Sequence, residues 1–194
     1  SVARGGWIAR LDDDDIWMPN YISEHLTSYE QGAGAIVSGH QRLGTDIVKV
    51  NSHSQVTEKE LRKGNHFCGM SGFSAKREVL LSHPLDEALG NGQDWDLYVR
   101  LAQSNIKFIN LSQALFYYRL QTPDGITAKA KRMKVADIDS RLQSATKHRA
   151  WLGEKYYKMR VAEQKLGWVK KSIELAGFMT TVKVILNQIK SKIL

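Results

Sequence analysis

The sequence predicts an α/β fold with a helical appendage, and three observations carry this prediction. Over residues 1–124, short apolar stretches typical of strands are interleaved with short segments of helical periodicity. From residue 128 to the end the pattern is helical, with interruptions around Gly153 and Gly167. At 194 residues with 42% hydrophobic side chains, the chain is long and apolar enough to bury a core.

The net charge of +8 is also unevenly distributed along the chain. Residues 1–124 carry 12 Lys and Arg against 15 Asp and Glu, a net charge of −3, whereas residues 125–194 carry 16 against 5, a net charge of +11. We therefore predict an α/β domain over 1–124 and a basic helical extension over 125–194.

The individual elements follow from local patterns. Pro19 suits a first helical turn, apolar residues at helical spacing follow it, and Gly32 ends that helix. Residues 66–75 are expected to form a strand or an ordered loop near a ligand. The predicted strands are 7–11, 35–39, 46–50, 106–111 and 114–120. The further predicted helical segments are 57–62, 76–82 and 94–104.

Cysteine content and hydropathy indicate the cellular compartment of the protein. Cys68 is the single cysteine, so no disulfide can form within the chain, and a reducing compartment is expected. We predict that Cys68 is a small buried residue rather than a nucleophile. No membrane span or signal-peptide pattern is found, which favours a cytoplasmic protein. Because the sequence starts at Ser1, almost inside a predicted strand, we expect a fragment or a processed piece.

The run of four aspartates, Asp12 to Asp15, directly follows the first predicted strand. At the carboxyl end of a buried strand it would stand where open α/β sheets bind ligands. Carboxylates there suit Mg²⁺ or Mn²⁺ working beside substrate phosphates. The alternative is an acidic turn before a helix, with Asp15 near an N-cap position. A calcium-binding EF-hand is excluded, because the loop lacks the required glycine and closing glutamate.

Asp94 is a second acidic candidate, at the start of the predicted helix 94–104. One interpretation is a simple N-cap. The other is a general base that removes a proton from an incoming hydroxyl. Asp96 is expected to face elsewhere on the helix. A metal-suited acid cluster together with a separate base indicates a reaction on a phosphorylated leaving group.

Four segments in order carry a resemblance to the family 2 glycosyltransferases of the GT-A fold. Residues 3–19 resemble the lead-in and Asp-x-Asp stretch of that family, and 92–102 resemble its Glu-Asp-x-Asp-Leu-x-x-Arg-Leu helix. Residues 69–78 are similar to the strand that passes under the sugar and acceptor, and 115–119 to the aromatic-Tyr-Arg strand. The resemblance spans roughly residues 3 to 120 and implies the C-terminal part of a GT-A mixed sheet with flanking helices.

The resemblance also implies roles for individual residues. Asp12 and Asp14 take the Asp-x-Asp positions and would bind Mn²⁺ or Mg²⁺. Asp12, Asp13 and Arg119 are the implied donor-binding residues: one carboxylate of the run would lie near the nucleotide ribose or sugar, and Arg119 would help to hold the diphosphate. Asp94 takes the position of the catalytic base. Because all four positions of the run are Asp, the register can shift, so that Asp13 or Asp15 serves instead.

The chain departs from the family pattern at several points. Gln93 stands where a Glu is common, and Gln121 stands where a His often follows the Tyr-Arg pair. Lys131 or Arg132 is a looser candidate for diphosphate contact. The Gln-x-x-Arg-Trp signature of processive synthases is absent, which favours transfer of single sugars. The first half of the family's domain, which binds the nucleobase, has no counterpart in this sequence.

The resemblance therefore predicts a metal-dependent, hexosyl-type inverting glycosyltransferase. The donor would be a nucleotide-diphosphate sugar and the acceptor a hydroxyl of a glycan or lipid-linked glycan, in bacterial envelope or capsule polysaccharide synthesis. One alternative is a catalytically incomplete fragment that binds a sugar or a partner. Another is a metal-dependent phosphatase using the acid run and a water nucleophile.

The segment 168–194 has apolar residues at helical spacing and lysines elsewhere on the helical wheel. Such a basic amphipathic helix can lie on an anionic membrane surface, at the inner face of the membrane. The alternative is that the apolar stripe packs on the catalytic domain. Nucleic acid is not a predicted partner, because the aromatics of the tail fall where helix packing would place them and no nucleic-acid motif appears.

Overall fold

A computed structural model describes residues 3–120 and 138–176, together with 179 and 182. The strands in these ranges are β1 Trp7–Ala9, β2 Ile16–Trp17, β3 Ala35–Arg42, β4 Val48–Lys49, β5 Phe73–Lys76 and β6 Phe108–Tyr118. The helices are α1 Tyr21–Glu30, α2 Glu58–Lys63, α3 Arg77–Ser82, α4 Gln93–Gln103, α5 Ile138–Arg141, α6 Gln143–Lys147 and α7 Arg149–Ala176. A 3-10 turn covers Met70–Gly72. The predicted α/β class with flanking helices is confirmed.

The strands form one mixed sheet in the order β1-β5-β3-β6-β2, with β4 paired to β3. Strands β3 and β6 are parallel, and the other pairs are antiparallel. Because β1 and β3 both run antiparallel to β5, β1 points the same way as β3 and β6. The carboxyl ends of these three strands therefore lie at the same edge of the sheet.

The prediction of two separate strands at the end of the α/β part is wrong. Residues 108–118 form the single strand β6, which pairs with β3 along its whole length. The register slips opposite Ser38 and Gly39, so Leu111 pairs with Ser38 and Ala114 with Gly39. The polar residues Ser112 and Gln113 lie in this irregularity, where a β-bulge accommodates them without a turn.

The helical region beyond 138 is interrupted at other places than the sequence indicates. Gly153 has a φ of 72°, which breaks the long helix as predicted. The predicted interruption at Gly167 is wrong, because α7 continues to Ala176. Further breaks separate α5, α6 and α7 near Leu142 and His148.

The first part of the basic extension packs into the core of the α/β part. Ala145 and Leu152 belong to the same buried cluster as Phe73 and Tyr98. Trp151 lies against this cluster, and its Nε1 donates a hydrogen bond of 2.6 Å to Glu58 Oε2. The division of the chain at 124/125 stays a prediction.

Asp96 forms a buried ionic junction between α4 and α6. Its side chain is fully buried, as its predicted orientation away from Asp94 allows. Asp96 Oδ1 lies 2.7 Å from both Lys147 Nζ and His148 Nε2, and Oδ2 lies 2.9 Å from the Arg100 guanidinium. Burial raises the pKa of Asp96, but hydrogen bonds from these three partners outweigh burial and lower it overall.

Candidate active site

The carboxyl ends of three strands that run in the same direction place the acid run and Arg119 at one edge of the sheet. The acid run follows β1, Arg42 ends β3, and Arg119 follows β6. Ligands of open α/β sheets bind at such an edge. The position of the acid run behind a strand, expected from the sequence, agrees with the structure.

The acid run forms a turn that is fastened on both sides. The backbone N–H of Asp15 donates to the Asp12 carbonyl at 3.2 Å, and the N–H of Asp12 donates to Ser71 Oγ at 3.1 Å. Arg119 holds the other side, because its backbone N–H donates to Asp15 Oδ1 at 2.8 Å and its Nε donates to the Asp14 carbonyl at 2.9 Å. The loop before β5 and the end of β6 therefore position the turn.

The turn borders a cavity of about 980 Å³. Asp12 and Asp15 line this cavity, whereas Asp13 and Asp14 are not among its lining residues. We call it the main cavity. Burial raises the pKa of Asp12, and the negative charges of Asp15 and Asp14 raise it further. A cation beside Asp12 would relieve this repulsion.

The carboxylates of the acid run suit a divalent ion whose other ligands are oxygen atoms of a substrate. Within the described ranges, no three His, Cys, Asp or Glu side chains come together as a ready set of metal ligands. Mg²⁺ and its relatives are often held by one or two carboxylates plus phosphate oxygens and water. Asp12 and Asp15 line the main cavity together, whereas neither the predicted pair Asp12 with Asp14 nor the pair shifted by one, Asp13 with Asp15, has both members in its lining.

Asp94, which is far from the acid run in the sequence, also lines the main cavity. It is the second residue of α4, and the N-cap position is Gly92, so the N-cap interpretation of Asp94 is wrong. Asn65 Nδ2 donates a hydrogen bond of 2.8 Å to Asp94 Oδ2. Burial raises the pKa of Asp94, and hydrogen bonds from the Trp95 N–H and from Asn65 oppose this rise. Asp94 is therefore a half-buried, oriented carboxylate of increased basicity.

Gln93 does not enter the main cavity. Its Nε2 donates to the carbonyls of Asp86 and Leu89, at 3.2 and 2.9 Å, and so fastens the loop before α4. The Gln93 amide therefore has a structural role, which explains a glutamine at a position where the family commonly has a glutamate. Gln121, Lys131 and Arg132 lie outside the described residues.

Two further residues of the cavity were not singled out from the sequence. Asn65 has no pattern linking it to Asp94, since 29 residues separate them. His40 on β3 lies between Phe116 and Tyr118, with ring centroids at 5.4 and 5.1 Å, and its buried Nδ1 has no hydrogen-bond partner among the described residues. Burial, with a contribution from Lys49, lowers the pKa of His40.

Cys68 lines the cavity but is not a reactive thiol. It is buried, as predicted, with 5% of its surface exposed. Burial raises its pKa to about 12, so the thiolate is not formed near neutral pH.

Comparisons with known proteins give one relative in sequence and remote likenesses in structure. No family model matches the chain. Over 142 residues, the chain is 25% identical to a protein of Methanocaldococcus jannaschii named as an uncharacterized glycosyltransferase. The match covers 70% of this chain and 49% of that protein, so the chain spans about half the length of its curated relative.

Crystal structures of TarS of S. aureus are among the solved structures that resemble this chain. One crystal structure of TarS has a TM-score of 0.49 at 13% identity, covering 89% of this chain and 29% of that one. TarS 1–349 in complex with UDP also has a TM-score of 0.49, at 12% identity, covering 90% of this chain and 49% of that one.

The predicted membrane contact of 168–194 involves mainly residues whose side chains the structure does not describe. In the described part of the chain, no helix is both long enough and apolar enough to cross a membrane. The aromatics Trp151, Tyr156 and Tyr157 pack against the hydrophobic core, as expected from helix packing.

Proposed function

We propose that this chain is the acceptor- and metal-binding part of an inverting glycosyltransferase that uses a nucleotide-diphosphate sugar. The observation that carries the proposal is the main cavity, onto which Asp12 and Asp15 open from one side and Asp94 from the other. Similarity to a protein named as a glycosyltransferase supports the same reaction class.

Asp94 is the proposed general base. Its carboxylate takes the proton of the acceptor hydroxyl while the hydroxyl oxygen forms a bond to the anomeric carbon. On the opposite face of that carbon, the bond to the diphosphate oxygen breaks, and its electron pair leaves with the nucleoside diphosphate. Attack opposite to the leaving group inverts the configuration. Burial supports this role, because a raised pKa makes the Asp94 carboxylate a stronger base.

Asp12 and Asp15 are the proposed ligands of Mn²⁺ or Mg²⁺, with Asp13 and Asp14 as the ligands of the alternative registers. A divalent ion bound there would neutralise charge on the departing diphosphate. Arg119 holds the acid turn through its backbone N–H and Nε, so its proposed contact with the diphosphate comes second to this positioning role.

Nucleotide binding and transfer test the proposal separately. Mn²⁺ and UDP together should raise the melting temperature of the chain more than either alone, since a ligand that binds only the folded state stabilises it. Asp94→Asn should keep this stabilisation. The same substitution should slow transfer by about 100- to 10,000-fold, which is the usual contribution of a general base.

The alternatives give different results in these assays. Stabilisation by Mn²⁺ without any effect of nucleoside diphosphates, together with phosphate release from a phosphomonoester, would favour a metal-dependent phosphatase. Binding of sugar or nucleotide without transfer would favour a catalytically incomplete binding domain.

The envelope role and the membrane contact are also proposals. The basic segment 168–194 would hold the enzyme at an anionic membrane surface near a lipid-linked acceptor. Deleting 168–194 should abolish co-sedimentation with anionic liposomes and leave co-sedimentation with neutral liposomes at its low level. Absence of liposome binding by the full chain would refute membrane contact.

A further inference from the structure

A second, smaller cavity of about 220 Å³ lies next to Asp94. Asn65 and Asp94 are the residues that line both this cavity and the main cavity. Its other walls come from the start of α4 and from α5, α6 and α7. The candidate base therefore stands between two cavities, only one of which contains the acid turn.

Two arginines give the small cavity its character. Arg141 and Arg160 both line it, and the buried Nε of each has no hydrogen-bond partner among the described residues. A guanidinium is always charged, and a buried donor without a partner is costly. Because Arg141 and Arg160 also line a cavity, a ligand bound there would supply the missing acceptors. We call this cavity the arginine cavity.

Arg160 is held in place by packing rather than by a strong ion pair. Its guanidinium lies over the Trp95 ring, with Cζ 4.9 Å from the centroid, and its side chain is 20% exposed. The nearest carboxylate partner is Glu163, at 3.7 Å from Nη1, which is longer than a charge-assisted hydrogen bond. Burial lowers the pKa of Arg160, and the negative charges of Glu163 and Asp94 oppose this effect.

The rest of the arginine cavity is lined by both polar and apolar side chains, and α4 and α6 approach closely at its wall. Gly92 has a φ of 74°, and a side-chain carbon at this position would lie 2.5 Å from Ser144 Oγ. Only glycine therefore allows the start of α4 to meet α6 here. Ser144 and Asn91 add polar groups to the lining. The positive end of the α4 dipole also favours an anion at this place.

We propose that the arginine cavity binds an anionic group, phosphate or carboxylate, of the acceptor substrate. This inference rests on the proposed function, because it places the acceptor beside the base Asp94. An anion bound between Arg141 and Arg160 would accept hydrogen bonds from the two Nε donors, which have no partner within the described ranges. The acceptor then reaches Asp94 from the side opposite to the acid turn, and its hydroxyl is delivered toward the main cavity. The acceptor is accordingly an acidic glycan or a phosphate-bearing one.

Binding of inorganic phosphate to the full chain tests the anion site directly. Titration calorimetry should show phosphate binding that weakens at least about tenfold in Arg141→Gln and in Arg160→Gln, since each loses a charge-assisted contact. Arg62→Gln is the matched control. Arg62 is also half-buried and stacks on Trp151 at 5.1 Å, and its Nε has no hydrogen-bond partner in the described part of the chain, but it does not line the arginine cavity.

Equal phosphate affinity in the wild type and in both cavity variants would overturn the proposal, as would equal weakening in Arg62→Gln. Because Arg160→Gln could disturb the packing on Trp95, Arg160→Lys is a second variant. It keeps the charge, and it should retain more phosphate binding than Arg160→Gln at an equal melting temperature. A parallel titration with glucuronate distinguishes a carboxylate-bearing from a phosphate-bearing acceptor.

Competition with UDP separates this site from the donor site. In the presence of Mn²⁺, saturating UDP should leave phosphate affinity unchanged, and Asp12→Asn should also leave it unchanged. Displacement of phosphate by UDP would assign the arginine cavity to the donor and overturn the acceptor assignment. If UDP does not bind at all while phosphate binding still requires both arginines, the proposed transfer reaction fails but the anion site stands.

Discussion

Asn65 Nδ2 donates a hydrogen bond of 2.8 Å to Asp94 Oδ2 at the junction of the two cavities. The same amide nitrogen lies 3.2 Å from the Cys68 carbonyl, and Asn65 Oδ1 accepts from the Phe67 N–H. The loop before the 3-10 turn therefore fixes the amide, and the amide fixes the carboxylate. Asn65 is a positioning residue for the candidate base.

Asn65→Ala should move the acid limb of the pH–rate profile to higher pH. The hydrogen bond from Asn65 stabilises the charged form of Asp94, so its removal raises the pKa of that carboxyl further. The base is then protonated over a wider acidic range. We expect kcat/KM at neutral pH to fall by about tenfold, within the range for outer residues that orient a catalytic group.

Asn51→Ala is the control for this measurement. Asn51 is also a loop amide, but its side chain contacts His53 and the His66 carbonyl rather than Asp94. Its profile should match that of the wild type. An unchanged acid limb in Asn65→Ala would show that Asp94 is not the group titrating in the reaction.

Single substitutions in the turn Asp12–Asp15 should differ in their effect on the stabilisation by Mn²⁺ and UDP. Asp12→Asn should abolish the combined stabilisation by Mn²⁺ and UDP, which amounts to about 2.7 kcal/mol at 100 times Kd. Asp13→Asn should retain it, because Asp13 is exposed and does not line the main cavity. Melting temperatures with and without ligands measure the difference. Equal losses in both variants would restore Asp13 as a nucleotide-binding residue.

Much of this site could be predicted because its chemistry is encoded locally. Asp12 stands out behind a strand and Asp94 at a helix start, and the structure places both residues on the main cavity. Asn65 and Arg160 could not be predicted, because packing of distant segments brings them to Asp94. The arginines were recognisable only as part of a basic extension.

Prediction of the fold has the same limit: elements that depend on distant segments are not indicated by a local sequence pattern. Helix α1 and strand β3 follow from apolar periodicity within one segment. Strand β2 has two residues, Ile16–Trp17, and exists through its pairing with Tyr117 and Phe116 on β6, which no local pattern indicates. The bulge that keeps β6 continuous also depends on its partner β3. Long-range pairing therefore decides the elements that the sequence pattern missed.

His25 on α1 predicts a loss of stability in mild acid. Burial lowers its pKa to about 4, whereas the unfolded chain has the ordinary value of 6.5. Between these values the unfolded state binds more protons, so the free energy of unfolding decreases as pH falls from 6.5 towards 4. The decrease approaches about 3 kcal/mol for a shift of this size.

His25→Gln should flatten the pH dependence of urea denaturation between pH 6.5 and 4. Glutamine does not titrate, and it offers an amide to replace the 2.6 Å hydrogen bond of His25 Nδ1 with Ser74 Oγ. His53→Gln is the control, because His53 has an exposed side chain. A slope as steep in His25→Gln as in the wild type would assign the acid sensitivity to another group.

Asp96→Asn should destabilise the protein and loosen the basic helices from the α/β part. The substitution leaves Lys147 and Arg100 beside a buried neutral amide, and breaking a buried ion pair costs about 3–5 kcal/mol. The pKa of Asp96 is lowered in the folded state, so its contribution is present above the unfolded value and is lost as pH falls through the lower folded value. Urea denaturation should therefore show a large loss at pH 7 that shrinks below about pH 4. Asp86→Asn, which removes a partly exposed partner of Lys147, should cost much less at every pH. A similar cost for the two substitutions would mean that the junction of α4 and α6 depends on packing rather than on Asp96.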